Sequence, residues 1–161
     1  MKFAASRCLI AFWLLAASAC QVQYVSNYDP ETDQNVTALQ KKVSTHLIGL
    51  RGQQPPDCFY ANHEAFYNDA LSDAQVILTR AQAINADGLN ALTVRQMQLT
   101  SDSLNELRDL HRTVSNENLC ISDESLIDLN TLFNAQFESI LAFEIAKKRT
   151  LSEAEPIKEQ P

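Results

Sequence analysis

Glycine is scarce in this chain of 161 residues, occurring only at 49, 52 and 88. Three scattered glycines leave no glycine-rich loop to cradle a phosphate. Proline is almost as rare, at 30, 55, 56, 156 and 161. Breakers this sparse exclude a fold of many short strands and tight turns. No stretch of four or more residues alternates in the β pattern with β-branched residues and turn signals around it. Basic residues are also short: 13 Lys and Arg stand against 20 Asp and Glu. A surface of that sign matches nucleic-acid phosphates poorly. The one long apolar run, 9–19, is shorter than the roughly 18 residues a membrane-crossing helix needs. Nothing in the chain has the pattern of a nucleophile elbow, a zincin helix or a Cys-x-x-Cys-His haem attachment.

What is there is helical. Between the breakers lie long stretches rich in Leu, Ala, Gln, Glu and Asn, with apolar residues at steps of three and four. The first helix is expected to begin after Thr32 or Asp33 as N-cap and to end near Leu50. Val36, Leu39, Val43, Leu47 and Leu50 form its inner line, and the GQQPP segment, 52–56, ends it. The second runs from Cys58 to Asn85. Its inner line is His63, Tyr67, Ala70, Ala74, Ile77, Ala81 and Ile84, widened by Phe66, Leu71 and Leu78. Asp87 and Gly88 make a tight turn. The third runs from Leu89 to Asn116, with Leu92, Met97, Leu104, Leu107, His111 and Val114 inward. The fourth starts after Ser122, whose hydroxyl caps it. Leu126, Leu129, Phe133, Phe137, Ile140 and Leu141 supply its core face. Asp123 and Glu124 in its first turn and Lys147, Lys148 and Arg149 in its last suit the helix dipole. Short loops between long helices predict an all-α, antiparallel up-down four-helix bundle over 33–149, followed by a solvated tail, 150–161.

The N-terminus reads as an address. Lys2 and Arg7 precede the apolar run, and Ala17, Ser18 and Ala19 lead into Cys20. The arrangement resembles the lipobox of bacterial lipoproteins, with Ala17 where that family most often has Leu. The resemblance implies that 1–19 is a removable signal peptide and that Cys20 is acylated and becomes the first residue. In that family Asp after the cysteine often marks inner-membrane retention. Gln21 stands here, so the resemblance implies an outer-membrane anchor on the periplasmic side. Two or more acyl chains hold stably where one holds only marginally. Loss of 1–19 removes Lys2 and Arg7 and no acid, leaving 11 of the 13 basic residues against 20 acids, a net of −9. Such a chain is repelled by anionic headgroups, so the lipid has to hold it. Residues 20–32 then form a lipidated tether. Its part from Gln21 to Thr32 spans about 40 Å at most. Tyr24, Val25 and Tyr28 either ride on this leash or pack along the bundle or a partner. The segment YDPETDQNVTALQKKV is similar to the start of small uncharacterised proteobacterial lipoproteins, a likeness that supplies no mechanism.

Of four cysteines, Cys8 leaves with the leader and Cys20 carries lipid. Cys58 and Cys120 remain. The up-down topology puts both at one end, and an exported chain meets an oxidising compartment, so a disulfide is expected. The same end receives His46, His63 and His111, with Glu64, Glu124 and Asp128 at that level. The Glu-x-x-His pairs of di-iron bundles are absent. No metal or other cofactor is therefore assigned. Histidines 46, 63 and 111 are the residues a metal would use, and their expected role is structural. The functional expectation is a non-catalytic envelope protein with a structural or protein-interaction role, its partners the membrane and an envelope protein. The alternative is a small-ligand or metal-binding module at the histidine end.

Overall fold

The computed structural model of the chain describes residues 28–85 and 88–154. The expected signal peptide, Cys20, Tyr24, Val25, Asp87 and residues 155–161 of the tail lie outside the described residues. Among the described residues four helices make the fold: α1 Pro30–Leu50, α2 Glu64–Ile84, α3 Ala91–Asn116 and α4 Asp123–Ala154. There is no strand among the described residues.

Cross-helix bonds fix the directions. Gln40 and Ser44 of α1 bond Asn134 and Asn130 of α4. Lys42 of α1 pairs with Asp73 of α2, while His46 stacks on Phe66. Ser103 of α3 meets Gln136 of α4, while Thr93 meets Glu144. Tyr67 of α2 meets His111 of α3, while Ala81 meets Asn90 just before α3. In each pair one number rises as the other falls, so all four neighbouring pairs are antiparallel. Helix α1 lies between α4 and α2, and α3 between α2 and α4. This is the expected four-helix bundle. Its core holds Val36, Leu39, Val43 and Leu47 of α1 against Tyr67, Ala70, Ala74 and Ile77 of α2. Met97, Leu104 and Leu107 of α3 and Phe133, Phe137 and Ile140 of α4 complete it.

Several boundaries differ from expectation, each for a local reason. Helix α1 starts three residues early. Asp29 is the N-cap: its carboxylate accepts the Thr32 amide at 3.2 Å and the Thr32 hydroxyl at 2.6 Å. Pro30 is the first helical residue, where its missing amide hydrogen costs nothing. Tether residues 30–32 are therefore bundle. Helix α2 starts six residues late. The chain after Pro56 winds through tight turns (the Asp57 and Cys58 amides both donate to the Gln54 carbonyl) and a 3-10 turn, Tyr60–Asn62. Helix α3 begins at Ala91, because Asn90 turns its side chain inward to donate to the Ala81 carbonyl. Asn118 closes α3 at φ 58°, and the Leu119 amide returns to the Val114 carbonyl. That left-handed cap, at a residue type that tolerates it, aims the chain toward Cys120. The Ser122 cap of α4 is present, with its oxygen accepting the Ser125 amide at 3.2 Å.

Two core assignments change. Leu92 is 41 % exposed, and the buried line of α3 is Thr93, Met97, Thr100, Leu104, Leu107 and His111. Lys147 does not sit in a solvated last turn. It is buried, and α4 continues to Ala154, so 150–154 are helix and not tail.

Candidate functional site at the disulfide end

Cys58 and Cys120 form a disulfide with Cα atoms 5.6 Å apart and a sequence separation of 62. It joins the turn after Pro56 to the α3–α4 loop. Closing a loop of that length constrains the unfolded chain by roughly 4 kcal/mol in the chain-entropy picture. The Gly52 amide donates to the Asp123 carboxylate at 3.0 Å, which draws the α1–α2 loop onto the start of α4.

Beneath the disulfide lies a buried relay of three groups. The His111 Nε2 is 2.7 Å from the Cys58 carbonyl, and its Nδ1 is 2.7 Å from the Tyr67 hydroxyl. A carbonyl only accepts, so Nε2 carries the proton. Nδ1 is then bare and accepts the Tyr67 O–H. His111 and Tyr67 are fully buried. Burial pushes the His111 imidazole below its ordinary value, against the opposing effect of the Cys58 carbonyl. Burial likewise raises the Tyr67 hydroxyl well above the ordinary phenol range. Tyr60 stacks on Tyr67 with ring centres 5.5 Å apart, and the Arg112 guanidinium covers Tyr60 at 4.8 Å.

The other two histidines complete an aromatic cluster. His46 lies flat on Phe66, ring centres 3.5 Å apart and planes 10° apart. Its Nε2 is buried with no hydrogen-bond partner among the described residues. Burial, helped by His63 and His111, pushes His46 down to about 3. His63 stands between its neighbours, 5.2 Å from His46 and 5.6 Å from His111, with Nε2 at 2.9 Å from the Asp57 carbonyl. The three histidines do meet, as the helix directions required. They meet as packed rings rather than as a ligand set, since His111 spends both nitrogens inside the fold. Glu64, Glu124 and Asp128 are exposed. Among the described residues no three His, Cys, Asp or Glu side chains are grouped to hold a metal ion. Beside the cluster, between α1 and α2, runs an open groove of about 470 Å³ lined by Ala38, Lys41, Lys42, Thr45, His46 and Phe66.

The opposite end carries polar groups that apolar patterning does not reveal. Glu144 and Lys147 are buried and paired, Nζ to Oε1 at 2.6 Å. Thr93 donates to the same Glu144 oxygen at 2.8 Å, and Lys147 also bonds the Asn90 side-chain carbonyl. The second Glu144 oxygen is buried without a hydrogen-bond partner among the described residues. Residues 144 and 147 extend the line 126, 133, 137 and 140 at steps of four and three. The signal was the register, not the residue type. Next to them Arg80 of α2 grips Asp29 through two bonds, Nη2 to Oδ1 at 2.8 Å and Nε to Oδ2 at 2.5 Å, and reaches Glu31 at 2.8 Å. The Arg80 bond holds the Asp29 carboxyl far below the usual range. The Tyr28 hydroxyl donates to Asp33 at 2.7 Å, and the Lys148 ammonium lies 5.5 Å from the Tyr28 ring centre. Tyr28 and Asp29, expected in the tether, are thus clasped to the bundle. No protein-family model matches this chain, and no curated protein or solved structure matches it either.

Proposed function

We propose that the chain is a lipid-anchored protein of the bacterial envelope, held at the outer membrane on its periplasmic side through Cys20, with a structural or protein-interaction role. The observation that carries this reading is the Cys58–Cys120 disulfide, because such bonds persist in oxidising compartments. It agrees with the leader-like N-terminus ending at Cys20. The clasp at Tyr28 and Asp29 shortens the tether. Only seven residues, Gln21 to Asn27, separate Cys20 from the bundle, a reach of about 25 Å at most. The clasped end is therefore the tethered end, and the disulfide lies at the other end of the bundle.

The test is metabolic labelling with an alkyne fatty acid in cells producing the chain or its Cys20→Ser variant, followed by membrane fractionation. Label on the wild type alone, in the outer-membrane fraction, is expected. Unlabelled wild-type protein would sink the reading. A second reading, a small-ligand module at the histidine end, is favoured by the groove beside His46 and Phe66. Thermal shift against a panel of small anionic and aromatic compounds tests it, and a flat panel removes it.

A further inference from the structure

The outward side of α3 carries Leu92, Leu99 and Leu110, which are 41 %, 45 % and 41 % exposed. Their spacings of seven and eleven residues come close to two and three whole turns, so the leucines share one line. Leu132 of α4, 48 % exposed, widens the stripe, since Gln136 one turn further on bonds Ser103 of α3 at 2.9 Å. Arg95 and Glu106 flank the same line. Both are exposed, and neither has an ion-pair partner among the described residues.

Read from its two ends, this line nearly repeats itself. Leu92 is followed three residues later by Arg95, and Leu110 is preceded four residues earlier by Glu106. Set two copies of α3 antiparallel with the twofold axis at the level of residue 101. Leu92 then meets the second copy's Leu110, Leu99 meets its Ser103, and Arg95 falls beside its Glu106. Every contact occurs twice, as a twofold interface requires. A partner of another sequence has no reason to match this order of apolar, basic, acidic and apolar groups, whereas the chain itself matches it in one register. The two Asp102 side chains form the one like-charge pair near the axis. They are exposed at its rim, where water and salt screen them.

We propose that α3 is a self-association face through which two copies pair antiparallel, with Arg95 and Glu106 setting the register. The proposal does not depend on the lipid anchor. Where the anchor is present, the two clasped ends point in opposite directions. Both tethers then reach one bilayer when the helices run along its surface.

Sedimentation equilibrium of the full chain in a non-ionic detergent, over a range of concentrations, tests the pairing. A monomer–dimer equilibrium is expected. Arg95→Glu and Glu106→Arg should each weaken it by about tenfold, because each reversal acts at both copies of the pair. The double reversal R95E/E106R should recover the dimer, and Leu99→Glu should abolish it. Circular dichroism should be unchanged throughout, since all these side chains are exposed. A monomer at every concentration overturns the proposal. So does a dimer indifferent to the single reversals, or one that the double reversal fails to recover.

Discussion

Replacing Tyr67 with Phe removes one oxygen from the core and strands one nitrogen. The Tyr67 hydroxyl is the donor to His111 Nδ1, and both side chains are fully buried. The Phe ring fills the same space, so the packing term is small and the orphaned acceptor dominates, costing about 1–3 kcal/mol. His111→Leu strands two groups, the Tyr67 hydroxyl and the Cys58 carbonyl, and should cost about 2–5 kcal/mol. The double variant Y67F/H111L strands only the Cys58 carbonyl. Its cost returns to about 1–3 kcal/mol, well under the sum of the singles. The assay is urea unfolding at pH 7 with the disulfide intact, followed by far-ultraviolet circular dichroism. In a thermal melt each kcal/mol corresponds to roughly 4 °C for a domain of this size. If the two single costs add to within about 0.5 kcal/mol, the side chains are not coupled and the relay reasoning fails.

Acidification should destabilise the fold through the histidine cluster. In the fold His46 is pushed down to about 3 and His111 is also lowered. The unfolded chain therefore binds more protons below about 6.5, and stability falls as pH drops from there toward 3. His46→Phe should flatten the fall between pH 6.5 and 5, above the carboxylate range. An unchanged slope in the urea midpoint would count against burial as the cause. At the opposite end, Asp29→Ala loses a helix cap and the Arg80 grip together, whereas Arg80→Ala loses the grip and an exposed pair with Glu31 that contributes little. Melts should rank Asp29→Ala as the worse by about 1 kcal/mol, and the reverse order would contradict the capping role. Lys147→Met leaves the Glu144 carboxylate buried without its ammonium and should cost about 3–5 kcal/mol, with E144Q/K147M recovering most of the loss. A double variant as unstable as the single would mean that the carboxylate charge is not the cost.

The bundle was legible because few breakers interrupt the chain and its apolar residues keep helical spacing. Cys58 and Cys120 were legible as a pair because the lipobox resemblance sets Cys8 and Cys20 aside, an exported chain meets an oxidising compartment, and an up-down path brings both loops to one end. His46, His63 and His111 converged by the same reasoning. Their bonds were not legible, because the choice of Cys58 carbonyl and Tyr67 hydroxyl depends on how the turn after Pro56 folds back. Pro30 has the pattern of a breaker, yet at a first helical position it starts α1. Thr93, Thr100, Glu144 and Lys147 were invisible to a search for apolar residues although they hold core register. Lys147 illustrates why. A lysine near a helix end looks like a dipole partner, whereas bonds to the neighbouring Asn90, Thr93 and Glu144 help make its burial tolerable.

The clasp at Tyr28 and Asp29 and the proposed anchor at Cys20 together define a short leash, so the state of Cys20 matters most. Mass spectrometry of the intact protein, extracted from membranes with its lipid in place, reads that state directly. A chain beginning at Cys20 and heavier than its polypeptide by two or three acyl groups with their glycerol is expected. A chain that begins elsewhere, or a Cys20 of unmodified mass, would contradict the proposed anchor.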